Sequence, residues 1–223
     1  MDGGSTLTVY IEGDGLVAVA PQVPALDPTP LDPLALRLAL ADGGARVAYL
    51  GRPCQYLAGR PPGSCRDAHW THRRFAPELV AAVGEALDAL KAATGAHTLR
   101  LIGYSGGAAM AALVAGGRGD VLAWASVAGN LDTDTWQQLH ALSPLHGSLN
   151  PRKVAQTLRN LPQRHLVGLR DTVVPPSVPE AFLHAMDGQM PATSADARVL
   201  PLPDFDHVCC WVQEWPRLRV LIP

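Results

Sequence analysis

The chain has 223 residues, a length typical of one domain, and 48% of them are hydrophobic, enough to bury a substantial core. A formal net charge of −2, only 5% aromatic residues and the lack of any basic or acidic block argue against nucleic acid or an anionic membrane as a partner. Charges and prolines interrupt every apolar window well before the roughly 20 residues of a membrane span, so no stable span is predicted. A small-molecule substrate is the better expectation.

Short β-rich runs alternate with helical stretches along the chain, which predicts a parallel sheet covered by helices. The predicted strands are residues 6–11, 46–50, 98–103, 122–127, 164–169 and 197–202. The clearest helix is predicted from Pro77 to the Gly95 stop, with an apolar stripe at helical spacing. The other predicted helices are residues 33–40, 108–115, 151–158, 178–186 and a last one from about residue 208.

Polar residues follow several of these strands, and ligands of parallel sheets bind at the carboxyl ends of strands. Ser105 follows the third strand within "GYSGG", Asp171 follows the fifth within "RDTVVPP", and His207 follows the last within "PDFDH". Serine, aspartate and histidine in this order, each just past its own strand, are typical of an acyl-transfer triad.

Each of the three residue types has a chemical reason to be there. A serine hydroxyl is a weak nucleophile until an imidazole takes its proton, and a carboxylate fixes the tautomer of that imidazole. The pattern predicts Ser105 as nucleophile, His207 as base and then acid, and Asp171 as the residue that orients His207. Gly103 and Gly107 would leave clearance around a strained nucleophile.

A tetrahedral oxyanion needs two preformed N–H donors. Gly106 begins the helix after the serine, where the helix dipole also favours negative charge. The second donor should come from the loop after the first strand, and the main-chain amide of Asp14 in "EGDG" is the candidate. Otherwise Asp14 is only a turn former.

Other residues compete for these roles. Asp132 and Asp134, after the fourth strand, are the alternative acids, and His140 and His146 are the alternative bases. A Gly-x-Ser-x-Gly string also arises by chance, and Asp171 could serve only as a turn or N-cap residue. Position just past the fifth and the last strand favours Asp171 and His207.

Residues 130–151 carry Trp136, Leu139 and Leu142 at near-helical spacing. They form either a short helix packed on the core or a small cap whose apolar face lines a pocket, and the cap is favoured. Trp136 and Leu139, with Tyr104 beside the serine, are the expected substrate-binding residues. With this cap segment, residues 1–223 are predicted to form a single domain.

The four cysteines fall into two pairs. Cys54 and Cys65 share one Gly-, Pro- and Arg-rich loop, so they form either a loop disulfide or two reduced thiols, and their spacing fits no zinc pattern. Cys209 and Cys210 are adjacent at the start of a helical-looking segment, which predicts small buried apolar side chains rather than redox chemistry.

With "GYSGG", "RDTVVPP" and "FDH" in this order, the chain resembles the α/β-hydrolase superfamily from the first strand to His207. The stretches "YIEGDG", "DPTPLDPLALRLA", "RPCQY" and "NLDTDTW" are similar to a group of bacterial hydrolase-like proteins, some of them exported or lipid-anchored. This resemblance implies an exported, bacterial origin, with the leader absent from this chain, and supports the disulfide between Cys54 and Cys65.

The chain departs from the superfamily pattern in two places. The superfamily often has His-Gly where this chain has Glu12-Gly13. The two antiparallel strands that usually open the fold are missing, because the first predicted strand already leads into the oxyanion loop. The predicted fold is therefore a reduced α/β-hydrolase fold, with about six mainly parallel strands and helices on both faces.

These observations predict a serine hydrolase that forms an acyl-enzyme, most directly a carboxylic ester hydrolase acting on a small ester or acyl substrate. Thioesterase, peptidase, amidase and acyltransferase reactions use the same triad. A non-catalytic binding protein with this fold is the alternative from another class. No metal site is predicted. No cofactor is predicted either, because "EGDGL" lacks the full dinucleotide-binding pattern. The oligomeric state is left open.

Overall fold

The computed structural model describes residues 6–20, 23–57, 63, 65–188 and 198–223. Its main sheet has six strands, all parallel to their neighbours. In chain order the strands are β1 (Thr6–Ile11), β4 (Val47–Leu50), β5 (Thr98–Tyr104), β6 (Val121–Val127), β7 (Gln163–Gly168) and β8 (Val199–Leu202). Their order across the sheet is β4-β1-β5-β6-β7-β8. The predicted reduced, parallel sheet is confirmed.

Helices cover both faces of this sheet. Their bounds are α1 (Leu34–Ala41), α2 (Pro77–Thr94), α3 (Gly106–Ala115), α4 (Thr133–Leu139), α5 (Ser177–Asp187) and α6 (Trp211–Arg219). Buried residues of α2, α3 and α5 form one core cluster with Leu7, Val9 and Ile11. Buried residues of α1 and α6 form a second cluster with Tyr10. Because side chains alternate along a strand, β1 supplies both cores.

The boundaries of α2 and the burial of α3 follow from simple sequence signals. Helix α2 begins with Pro77 in its first turn and ends at Gly95, whose left-handed φ of 65° closes the helix, as expected of proline and glycine at these positions. Helix α3 is buried along its whole length. Its small residues therefore allow close packing of this helix on the centre of the sheet.

Some element predictions were wrong in detail. Two short strands, β2 (Ala18–Ala20) and β3 (Val23–Pro24), form a separate antiparallel pair that was not predicted. The helix predicted at residues 151–158 is a 3-10 helix, Pro151–Val154, followed by turns. The predicted strand start at Ala197 lies outside the described residues, as do residues 1–5. No helix within the described ranges is long and apolar enough to cross a membrane.

The two cysteine pairs have different outcomes. Cys54 and Cys65 form a disulfide with a Cα–Cα distance of 5.8 Å, as predicted. Cys209 and Cys210 are also joined, and they are only partly buried, so their assignment as small buried apolar side chains was wrong. The reason is that α6 begins at Trp211, which leaves both cysteines in the preceding loop rather than on the buried helix face.

Candidate active site

The carboxyl ends of β5, β7 and β8 bring three polar side chains together. Ser105 follows β5, Asp171 follows β7, and His207 follows β8. His207 Nε2 lies 3.1 Å from Ser105 Oγ, and His207 Nδ1 lies 2.8 Å from Asp171 Oδ2. One imidazole thus bridges a hydroxyl and a carboxylate, the geometry needed to move a proton from the hydroxyl.

The turn from β5 into α3 places Ser105 in a strained conformation with φ 51° and ψ −120°, a region that non-glycine residues rarely adopt. Its neighbours leave no room for side chains. A Cβ atom at Gly103 would collide with the backbone of Ala108, and one at Gly107 would collide with main-chain oxygens of β1 and the loop after it. Glycine at both positions therefore allows the tight turn.

Asp171 serves the turn after β7 and the histidine at once. Its Oδ1 accepts hydrogen bonds from the main-chain N–H groups of Val173 and Val174, each at 2.8 Å, while its Oδ2 faces His207. The side chain is fully buried. Two main-chain donors fix the carboxylate, so it holds the imidazole in one orientation.

The alternative acids and bases lie elsewhere. Asp132 is buried but caps α4 and pairs with Arg152 at 3.2 Å, and Asp134 is exposed. His140 Nε2 lies 2.9 Å from the Val173 main-chain oxygen, and His146 is exposed.

Tyr104 directly precedes Ser105 in the chain and contacts His207. Its hydroxyl donates to the main-chain oxygen of His207 at 3.1 Å, and its ring packs 5.3 Å from the imidazole, centre to centre. Beyond its predicted place in the substrate pocket, Tyr104 thus helps to hold His207.

The loop after β1 lies against the start of α3. Glu12 Oε1 accepts from the Gly13 N–H at 2.9 Å, so this amide is occupied. Among the described hydrogen bonds none uses the Asp14 main-chain N–H. A Cβ atom at Gly106 would collide with the Asp14 carboxylate. The two main-chain amides expected to bind an oxyanion therefore belong to residues that are in contact.

The two carboxyl groups of this loop, those of Glu12 and Asp14, have pKa values that differ from their ordinary values. Burial raises the pKa of the Glu12 carboxyl, although hydrogen bonds from Gly13 and other donors oppose the shift. Burial also acts to raise the pKa of Asp14, but attraction to Arg74 and Arg52 outweighs it and leaves that pKa below its ordinary value. Asp14 is therefore a carboxylate at neutral pH.

An open cavity of about 520 Å³ begins at Ser105 and His207. Tyr104 and Trp136 line it, and their role in binding a substrate stays a prediction. Leu139 does not line the cavity: it is 51% exposed and lies outside the described lining, because α4 ends at this residue and turns it towards solvent. The Trp136 indole donates to the Val173 main-chain oxygen at 2.8 Å, which ties α4 to the loop that carries Asp171.

Sequence reasoning missed the two arginines that pair with Asp14. Arg52 follows β4, and Arg74 precedes α2; Arg74 also lines the cavity. Both arginines stand in the long connection between β4 and α2, residues 51–76, and no local pattern marks them as partners of Asp14. In the described ranges, no group of three or more His, Cys, Asp or Glu side chains is arranged to hold a metal ion.

A second serine–histidine pair lies in the core. Ser126 Oγ is 2.9 Å from His165 Nδ1, and both residues are buried. Neither lines the cavity at Ser105. A substrate in the cavity at Ser105 therefore cannot reach this pair. A substitution of Ser126 can serve as a control for a substitution of Ser105.

Comparisons with known proteins support the fold rather than one activity. No family model matches the chain, and no curated protein matches it. Several solved structures are similar to the chain. An esterase from Pyrococcus furiosus is 13% identical with a TM-score of 0.64, over 99% of this chain and 82% of the other. An alpha-beta serine hydrolase homologue from Coxiella burnetii is 17% identical with a TM-score of 0.60, over 98% and 83%.

A third similar structure is an α/β serine hydrolase without a lid from Xanthomonas campestris, 15% identical with a TM-score of 0.53, over 96% of this chain and 78% of the other. The chain therefore has the α/β-hydrolase fold in a reduced, six-stranded form. The likeness to exported or lipid-anchored bacterial proteins stays a prediction.

Proposed function

We propose that this protein is a serine hydrolase that cleaves carboxylic esters through an acyl-enzyme on Ser105. The observation that carries the proposal is the hydrogen-bonded series Ser105, His207 and Asp171, with distances of 3.1 and 2.8 Å, at the mouth of a cavity. The esterase and serine hydrolase names of structures with the same fold support the same class.

In the proposed reaction, Ser105 Oγ attacks the ester carbonyl carbon while His207 Nε2 takes the hydroxyl proton. Asp171 keeps Nδ1 protonated and stabilises the imidazolium. The main-chain N–H groups of Gly106 and Asp14 would bind the negative oxygen of the tetrahedral intermediate. His207 then gives its proton to the leaving alcohol, and the acyl group stays on Ser105.

Deacylation repeats these steps with water. His207 takes a proton from a water molecule, the resulting hydroxide attacks the acyl carbon, and the proton returns to Ser105 Oγ as the carboxylic acid leaves. Apart from the ester and one water molecule, no further reactant is needed to balance atoms and electrons.

The substrate would lie between Tyr104 and Trp136. We include residues 130–151 in the proposal as a small cap, because α4 of this segment carries Trp136 and is tied to the Asp171 loop. The cavity that Tyr104 and Trp136 line is open to solvent.

The experiment is a pre-steady-state assay with nitrophenyl esters of graded chain length, with thioester and peptide substrates alongside. We expect a burst of nitrophenol close to one equivalent per protein, followed by slower turnover. Ser105→Ala should abolish both phases. Ser126→Ala, the matched control at the buried serine–histidine pair, should keep them. Equal activity of wild type and Ser105→Ala, or no activity on any ester, would overturn the proposal.

A further inference from the structure

Three charged side chains lie together beside the proposed oxyanion hole. Asp14 Oδ1 accepts from Arg52 Nη1 at 2.9 Å, and Asp14 Oδ2 accepts from Arg74 Nη1 at 2.8 Å. Arg52 Nη2 also donates to the main-chain oxygen of Arg74. The three residues form a closed unit, which we call the arginine–aspartate cluster.

The cluster carries more positive than negative charge in a poorly solvated place. The side chains of Arg52, Arg74 and Asp14 are only 6, 12 and 18% exposed. Two guanidinium groups share one carboxylate, and within the described part of the chain no second carboxylate pairs with either arginine. The cluster therefore has a net charge of +1, and such a charge acts strongly where water is scarce.

This surplus lies next to both proposed oxyanion donors. One donor is the main-chain N–H of Asp14 itself, and the other belongs to Gly106, against which the Asp14 carboxylate packs. A lone carboxylate here would repel a developing negative oxygen. With two guanidinium groups attached, the same carboxylate becomes part of a unit with a net positive charge, which opposes that repulsion.

The arrangement also ties the loop after β1 to both ends of the connection between β4 and α2. Asp14 is 38 residues from Arg52 and 60 residues from Arg74. The guanidinium of Arg74 further lies 5.9 Å from the centre of the Trp136 ring, a favourable contact between a cation and an aromatic face. The cluster therefore joins the oxyanion loop to the cavity wall.

We propose that Arg52 and Arg74 are positioning residues for ester hydrolysis: they hold the Asp14 loop against Gly106, and their surplus positive charge stabilises the oxyanion of the tetrahedral intermediate. The inference rests on the proposed function. It adds two residues that act on the rate of the chemical step through Asp14 and through their field, rather than by contact with the substrate.

The test compares variants that change the net charge of the cluster. Arg74→Gln lowers it from +1 to 0, and the double variant Asp14→Asn/Arg74→Gln returns it to +1. With a neutral nitrophenyl ester, Arg74→Gln should lower kcat about 10-fold or more while KM changes by less than about threefold. The double variant should recover most of the lost kcat. Arg170→Gln, which removes the exposed partner of Asp204, is the matched control.

The outcomes separate this inference from the proposed function. An inactive wild type overturns both. An active wild type with an unchanged Arg74→Gln variant, a double variant as impaired as the single one, or a loss confined to KM for negatively charged esters overturns this inference alone. Thermal melting checks folding. Should Arg74→Gln not fold, Arg74→Lys decides, because it keeps the charge and should keep most of kcat; a folded, inactive Arg74→Lys contradicts the inference.

Discussion

Gly106 and Gly84 are two helical glycines in opposite surroundings. A Cβ atom at Gly106 would collide with the Asp14 carboxylate, whereas one at Gly84 in α2 would meet nothing within 4 Å. Gly106→Ala should therefore lower the free energy of unfolding by roughly 1–3 kcal/mol and reduce kcat by displacing Asp14. Gly84→Ala should raise the free energy of unfolding by up to about 1 kcal/mol. Urea denaturation and ester assays check both; a neutral Gly106→Ala would contradict the close contact.

Glu12 couples stability to pH in a direction that the structure defines. Burial raises the pKa of its carboxyl, so the folded protein binds this proton more tightly than the unfolded chain. The contribution of Glu12 is therefore fully present below the ordinary carboxyl pKa and is lost as pH rises through the raised folded pKa. Glu12→Gln should remove this pH-dependent loss of stability, because an amide does not ionise.

The matching measurement is the free energy of unfolding of wild type and Glu12→Gln at about pH 4 and about pH 8. The difference between variant and wild type should become more favourable to the variant at the higher pH. The amide can still accept from the Gly13 N–H, so the variant should fold. A difference that is the same at both pH values, or that moves the other way, would show that the Glu12 pKa is not raised.

At the scale of elements, the disulfide between Cys54 and Cys65 closes the loop that follows β4. The two cysteines are 11 residues apart, and closing a loop of this size stabilises a folded protein by roughly 2–3 kcal/mol. Replacing both by serine should lower the free energy of unfolding by about that amount. Cys210→Ser should lower it less, because Cys209 and Cys210 are adjacent and enclose almost no chain. Equal effects would contradict the account.

A charged network joins the end of α2 to the turn after α3. Asp120 accepts from Arg118 at 2.6 Å and from Lys91. The hydrogen bond from Arg118, with Lys91 contributing, lowers the pKa of Asp120 to about 2. The contribution of ionised Asp120 to the free energy of unfolding is fully present above the ordinary aspartate pKa. It is lost as pH falls towards the pKa of Asp120 in the folded protein.

Asp120→Asn should accordingly cost roughly 1–2 kcal/mol at about pH 7, and the cost should shrink between about pH 5 and pH 3. Denaturant unfolding of variant and wild type across this range tests it. A cost that stays constant with pH would mean that packing, rather than ionisation, accounts for the effect of the substitution.

Element prediction succeeded where one local signal is strong. Buried β-rich runs and the glycine and proline boundaries of α2 are readable from neighbouring residues. The hairpin of β2 and β3 was missed because these short strands are mostly exposed and lack alternation. Leu139 was misplaced because helical spacing shows which residues share a face but not that α4 ends at Leu139.

At the scale of the whole molecule, chain order predicted the parallel sheet, and the rule that sites lie at the carboxyl ends of strands brought attention to Ser105, Asp171 and His207. The arginine–aspartate cluster could not be predicted in this way. Arg52 and Arg74 are 38 and 60 residues away from Asp14 in the chain. No local pattern indicates which arginine will pair with which carboxylate. Such contacts depend on how loops that are distant in sequence pack against one another in the folded chain.

The central claim is that Ser105 is the nucleophile of this fold. Its most direct test is intact-mass and peptide analysis after treatment with a fluorophosphonate, which reacts with activated serines. The account predicts a single adduct on the peptide that contains Ser105, present in wild type and in Ser126→Ala and absent from Ser105→Ala. No adduct on folded wild type, or the same adduct on Ser105→Ala, would contradict it.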